Sequence, residues 1–226
     1  MRERDLIILS IETALGNGSL SLLKGKSEIA SFRGEKKISR SEELLLLIST
    51  LLSNNGVKLK DVDLVVVSEG PGSFTGIRIG ISTAQALAFG LGKQLFGVSV
   101  LEALAFSTDE PEVVAVIPTG RNLLVWQEFK DIRNSSNIES YPQISTLQEF
   151  SVQIRKAKDN NLKILVESNL CKNLKDIHPY SESIFKCASD NVSVIIALYA
   201  CFLSNKLAIE KPVIPRYLLE TEVGKK

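Results

Sequence analysis

The run VDLVVV at residues 62–67 ends abruptly in SEGPGSFTGIRIG at residues 68–80, and that junction constrains the fold more than any other part of the chain. A nearly continuous branched apolar run has no polar face to offer water, so it reads as a strand covered on both sides. That stretch holds four glycines and a proline and opens a helix that runs from about Thr75 to Leu91. Strand, tight turn and helix in that order belong to an α/β architecture.

A glycine-rich turn at the head of a helix raises the question of phosphate binding. A Walker A loop requires G-x-x-x-x-G-K-[ST], and no lysine is present here. The spacing resembles a loosened dinucleotide fingerprint, but Pro71 brings no N–H, and positions 86–101 contain no acidic residue to hold a ribose. Two readings stay open. Gly70, Gly72, Ser73 and Thr75 form an anion-friendly turn at a helix N-terminus, or the glycines serve only a tight backbone path. The loop itself carries no general base, nucleophile or metal ligand, and its nearest titratable residues are Glu69 and Arg78.

Within the helix, Gly76, Gly80, Ala84 and Ala88 recur every fourth residue. A stripe of small residues lets a neighbour approach closely, and interior glycines cost about 1 kcal/mol each unless packing offsets them. Whether that neighbour belongs to the same chain is not decided by the pattern.

Upstream, Leu6–Ile11, Ser19–Leu23 and Glu28–Phe32 read as three strands separated by Gly16-Asn17-Gly18 and Gly25-Lys26 turns. Ser39 and Glu42 have capping-box spacing and open a leucine-rich helix that ends at Asn54-Asn55-Gly56. Five successive apolar residues, Leu44 to Ile48, cover every side of that helix. It is expected either to be sandwiched within its own domain or to need a partner. A strand at Gln94–Val98 and a helix at Val100–Phe106 complete the first half.

The acidic, proline-containing segment 109–112 marks a boundary, giving subdomains of 1–108 and 109–226. The second half opens like the first: Val113–Ile117, a turn at Thr119-Gly120-Arg121-Asn122, then Leu123–Phe129. A helix at about 145–158, a strand at Lys163–Val166 and a helix at about 191–207 follow. Residues 130–145 and the tail after Lys211 read as loops. Two such halves predict a duplicated α/β fold with a cleft between them.

Composition narrows the function classes. A net charge of +1 is unlike a protein that grips RNA unaided. Three cysteines without a C-x-x-C pair read as reduced core thiols. The N-terminus lacks a signal-peptide pattern, and no apolar run approaches the roughly 20 residues of a membrane span. A cytoplasmic protein with no membrane partner is expected. The single histidine, His178, sits in a polar loop and reads as a solvated side chain.

ILSIET at 8–13, SLSL at 19–22, SRSEELLLLI at 39–48, GPGSFTGIRIGISTAQALAFGL at 70–91 and GVSVLEAL at 97–104 together resemble the bacterial TsaB (YeaZ) family. IPTGRNLLVWQEF at 117–129 and PRYLL at 215–219 extend the likeness more weakly. The resemblance implies the actin/Hsp70/sugar-kinase fold, built on ribonuclease H-like motifs in two duplicated subdomains. It implies a role in forming N6-threonylcarbamoyladenosine at position 37 of tRNAs that read codons beginning with A. In that family TsaB is the non-catalytic partner of its paralogue TsaD, which carries the metal and performs the transfer, while TsaE is an ATPase that joins them.

TsaD has V-N-H-L-E-G-H where this chain has Val98 to Leu104, so the two metal-binding histidine positions are Val100 and Leu104 here. An aliphatic side chain cannot replace imidazole as a ligand, so no metal and no cofactor of the chain's own is expected. Glu12 stands where the family usually has Asp, Arg40 where it often has His, and Thr119-Gly120-Arg121 where it has Asp-Ala-Arg. These departures disfavour the rival reading, a small ATPase or sugar kinase of the same fold. The resemblance also implies pairing with TsaD, or a homodimer when alone, through the two helices, with Leu46, Thr50, Gly76, Gly80, Ala84 and Ala88 at the interface. Contact with tRNA is expected only through the complex.

Overall fold

The computed structural model describes residues 6–34, 40–119, 123–134, 140–166, 170, 185–187, 191–206 and 212–217. The first half runs β1 (Ile7–Glu12), β2 (Ser19–Lys24), β3 (Ser27–Arg33), α1 (Ser41–Asn54), β4 (Leu64–Gly70), α2 (Phe74–Leu91), β5 (Gln94–Ser99) and α3 (Val100–Phe106). The second runs β6 (Glu112–Pro118), β7 (Leu123–Lys130), β8 (Gln143–Thr146), α4 (Leu147–Asp159), β9 (Lys163–Val166), β10 (Phe185–Cys187) and α5 (Val192–Lys206).

The two sheets repeat one another. The first has strand order β3-β2-β1-β4-β5 and the second β8-β7-β6-β9-β10. In each, an antiparallel meander of three strands continues into two parallel ones. The expected duplication is therefore a duplication of topology; β8 begins within the stretch read as loop, and β10 lies in a stretch to which the sequence reading assigned no element.

The last helix of each half crosses to the other sheet: α3 packs on β6, β7 and β9, while α5 lies over β1, β2, β4 and β5. β4 is thus enclosed by α2 on one face and α5 on the other, and all seven of its residues are buried. That is why its sequence is continuously apolar instead of alternating. One hydrophobic cluster runs through both sheets, from Ile8, Val65 and Ile81 to Ala115, Val125 and Ile196. A smaller cluster lies beneath α4 around Phe150 and Ile164.

Two local expectations are corrected. α1 begins at Ser41 with Arg40 at its N-cap and no side-chain cap bond, so the helix does not start from a Ser39–Glu42 capping box; Ser39 itself lies outside the described residues. A capping box does form on α4, where Thr146 and Glu149 bond reciprocally. Cys187, exposed at the end of β10, is disulfide-bonded and is not a core thiol. Cys201 is buried in α5 with its sulfur 3.8 Å from the Gly25 carbonyl oxygen, as a core thiol should be. Cys171, His178 and Gly120 to Asn122 lie outside the described residues. No helix among the described residues is long and apolar enough to cross a membrane.

Candidate functional site

The glycine-rich turn is filled by the chain itself. The Gly70–Pro71 peptide is cis, and Gly70 has φ +98°. The Ser73 N–H donates to the Ala14 carbonyl at 2.7 Å, and the Ser73 hydroxyl caps α2 by accepting from the Gly76 N–H at 3.3 Å. Thr13 Oγ1 donates to the Gly76 carbonyl at 2.7 Å. The end of β1 therefore presses directly on the first turns of α2. A Cβ on Gly72 would overlap Ala14, and one on Gly76 or Gly80 would overlap Thr13. Close approach of the chain's own backbone accounts for these glycines. Thr75 is exposed, and Gly72 and Ser73 are half-buried.

The small-residue stripe is correspondingly corrected as a partner surface. Gly76, Gly80, Ala84 and Ala88 are all buried. They pack inward because β1 and β4 need that space, so the close neighbour is this chain's own sheet.

The opposite side of the helix pair is different. Leu46 is 68% exposed, Phe89 91% and Phe74 51%, with Leu45 beside them on α1. Thr50 is also exposed, its hydroxyl bonded back to the Leu46 carbonyl. A groove between α1 and α2 is lined by Leu45, Ile48, Leu52, Val57 and Leu87. Large apolar side chains left exposed in this way make α1 and α2 a candidate interaction surface. Of the six positions expected at an interface, Leu46 and Thr50 lie on this face. Leu45 belongs to the leucine run noted in the sequence, whereas Phe74 and Phe89 were not proposed for an interface, although Phe89 follows Gln85 by four residues on the helix side away from the glycines.

A charged cluster also emerged from the fold. Glu69, at the end of β4, and Glu102, in α3, are both buried. Arg216 from the C-terminal segment bridges them, with Nε 2.9 Å from Glu69 Oε2 and Nη1 2.7 Å from Glu102 Oε1. The backbone N–H groups of Ile214 and Arg216 donate to Glu69 Oε1 and to the Glu69 carbonyl. Tyr199 of α5 donates its hydroxyl to Glu102 Oε2 at 3.2 Å. Burial works against the charge on Arg216, but Glu102 and Glu69 outweigh it and hold its pKa above the ordinary value. Burial, then the charge and hydrogen bond of Glu102, push the Tyr199 hydroxyl far above its ordinary range against a smaller effect of Arg216. Gly97 makes room for the Glu69 carboxylate, which a Cβ there would overlap.

The remaining candidates are structural in placement. Glu12 is 2% exposed, and its Oε1 accepts from the N–H groups of Ala14 at 2.6 Å and Leu15 at 2.8 Å, closing the turn that follows β1. Val100 and Leu104 are fully buried on α3. Thr119 bonds to the Leu123 carbonyl through both its N–H and its hydroxyl. Among the described residues, no three His, Cys, Asp or Glu side chains gather as a metal site requires.

Two repeated five-stranded units with exchanged terminal helices define a protein of the actin/Hsp70/sugar-kinase class. A polyphosphate/ATP-glucomannokinase from Arthrobacter has the same fold (TM-score 0.51, 10% identity, 88% of this chain and 100% of that one). YeaZ from Pseudomonas aeruginosa superposes with a TM-score of 0.67 at 19% identity, over 94% of this chain and all of that one. The family model of TsaD, tRNA N6-adenosine threonylcarbamoyltransferase, matches residues 36–183. The proteins named tRNA threonylcarbamoyladenosine biosynthesis protein TsaB from two Buchnera aphidicola subspecies are more similar in sequence. That of Schizaphis graminum is 29% identical over 77% of this chain and 92% of its own length. That of Acyrthosiphon pisum is 32% identical over 70% of this chain and 71% of its own. The chain belongs to the TsaB (YeaZ) family, and its match to the TsaD model reflects the kinship between the two.

Proposed function

We propose that this chain is a non-catalytic scaffold subunit. In this reading it is required for forming the threonylcarbamoyl group on N6 of adenosine 37 in tRNAs that read ANN codons. It acts in complex with TsaD and TsaE, and forms a homodimer when alone. The observation that carries the reading is the set of exposed apolar side chains on α1 and α2, Leu46 and Phe89 the most exposed among them. Such a face is costly to leave in water and is offset when a partner covers it.

Three features support the absence of chemistry of its own. Glu12, at the position that serves phosphate and metal in nucleotide-hydrolysing relatives, is spent on its own turn. The TsaD histidine positions are buried aliphatic residues, Val100 and Leu104. The carboxylates of Glu69 and Glu102 are both engaged by Arg216. ATP and metal then belong to the partner subunits, and tRNA is met through the complex, in keeping with a net charge of only +1. Membership of the family gives the pathway.

Copurification with TsaD tests the reading. A stable complex that Leu46→Asp abolishes is expected, together with loss of threonylcarbamoyladenosine from tRNA hydrolysates when the chain is depleted. A depleted cell with unaltered tRNA would refute the pathway.

A further inference from the structure

We infer that Arg78 is a charged contact on the rim of the α1–α2 face, held in place by the C-terminal strap, residues 212–217, to receive a carboxylate of the partner subunit. The inference rests on the scaffold reading and adds a specific recognition element to it.

Arg78 lies on one exposed stripe of α2 with Ser82, Gln85 and Phe89, at helical spacings of three and four. Its guanidinium carbon sits 3.7 Å above the centre of the Phe74 ring and 5.7 Å from that of Tyr217. Its Nε donates to the Tyr217 hydroxyl at 3.1 Å. One face and one N–H of the guanidinium are therefore committed, and the Nη edge makes no bond among the described residues. No described carboxylate pairs with it, whereas Lys93, Arg133 and Arg216 each have one. A guanidinium fixed in this way has already lost its rotamer freedom, so a carboxylate can bind its edge with less ordering cost.

The strap does the fixing. Arg216 is anchored between Glu69 and Glu102, and the next residue, Tyr217, packs at a tilt against Phe74 with ring centres 4.8 Å apart while accepting from Arg78. Arg216 is thus a positioning residue, which acts on Arg78 only through Tyr217. Pro215 of the strap lines a shallow groove with Arg78, Ile79, Ser82 and Gln85 of α2 and Ser41 at the start of α1. Among the described residues, the lining of that groove holds no second cation. A nucleic-acid backbone is met by clustered positive charge, whereas a single planar cation at the edge of an apolar face matches one carboxylate side chain on a protein.

Binding of the purified chain to its own organism's TsaD, measured at several salt concentrations, tests the inference. Arg78→Gln is expected to weaken binding by about tenfold and to flatten its salt dependence. Tyr217→Phe, which keeps the ring and loses the hydroxyl, should move both quantities the same way by a smaller amount. Both variants should retain the thermal midpoint within a few degrees. Unchanged affinity or an unchanged salt slope for Arg78→Gln, while Leu46→Asp still abolishes the complex, overturns the inference and leaves the scaffold reading intact. Failure of the unmodified chain to bind TsaD overturns both.

Discussion

The carbonyl oxygen of Thr13 occupies the place a side chain on Gly76 would need, while the Thr13 hydroxyl donates 2.7 Å to the Gly76 carbonyl. This double contact fixes the end of β1 against the first turn of α2, and it explains a glycine inside a helix. Gly76→Ala must displace backbone, so it is expected to destabilise the fold by about 3 kcal/mol. Gly80→Ala meets the Thr13 hydroxyl, a side-chain atom that can rotate, and should cost roughly 1 kcal/mol. Urea unfolding of the two variants checks the order; equal costs would contradict the contact.

Arg216→Gln leaves two buried carboxylates facing one another without a cation. Because the Arg216 side chain is half exposed, the loss should be about 1–3 kcal/mol and not the larger cost of a fully buried pair. Adding Glu102→Gln to that variant should restore part of it, and a double-mutant cycle by chemical denaturation measures the coupling. Additive effects would mean that the two residues do not interact.

The Tyr199 hydroxyl titrates higher in the folded chain than in the unfolded one, through burial and then Glu102. The folded state therefore holds its proton more tightly. The resulting stability is complete below the unfolded value near 10, and it is lost as pH rises above it, by up to about 1.4 kcal/mol per pH unit. Tyr199→Phe should reduce the alkaline slope of the unfolding free energy between about pH 10 and 11. An identical slope in the variant would show that Tyr199 does not carry it.

Leu46→Asp and Phe89→Asp alter side chains that are 68% and 91% exposed, so each should change stability by less than about 0.5 kcal/mol. Both should nevertheless abolish association with TsaD and self-association, as read by light scattering coupled to size-exclusion chromatography. Intact complexes of both variants would move the interface elsewhere on the molecule.

Much of the first half was legible because its signals are local. Short apolar runs and turn glycines gave β1, β2 and β3, and the continuous apolar run gave a strand enclosed on both faces, β4. The Gly76–Ala88 period identified a close-packed side of α2, but a period cannot say whether the neighbour is a sheet of the same chain or another molecule. Direction came only with β1 and β4 in place. β8 is a short, mostly polar edge strand (QIST) and β10 an edge strand of three residues (FKC), so neither carries the hydrophobic alternation that would mark it.

The Glu69–Arg216–Glu102 cluster joins residues 147 and 114 positions apart, and no pattern in the sequence couples such distances. The P-R-Y tripeptide at 215–217 was visible as a family feature, yet its role as a strap depends on where β4 and α3 end. Cys187 had no spacing signal for a disulfide, since bridging is set by spatial approach. The absence of a side-chain cap at Arg40 shows the converse limit, where a correct local spacing was not used.

Reconstituted threonylcarbamoylation of tRNA with purified TsaD and TsaE, followed by mass spectrometry of adenosine 37, tests the central claim most directly. The account predicts that modification requires this chain, that the chain alone produces none, and that Leu46→Asp behaves as an omission. Modification at an undiminished rate without the chain, or by the chain alone, would contradict it.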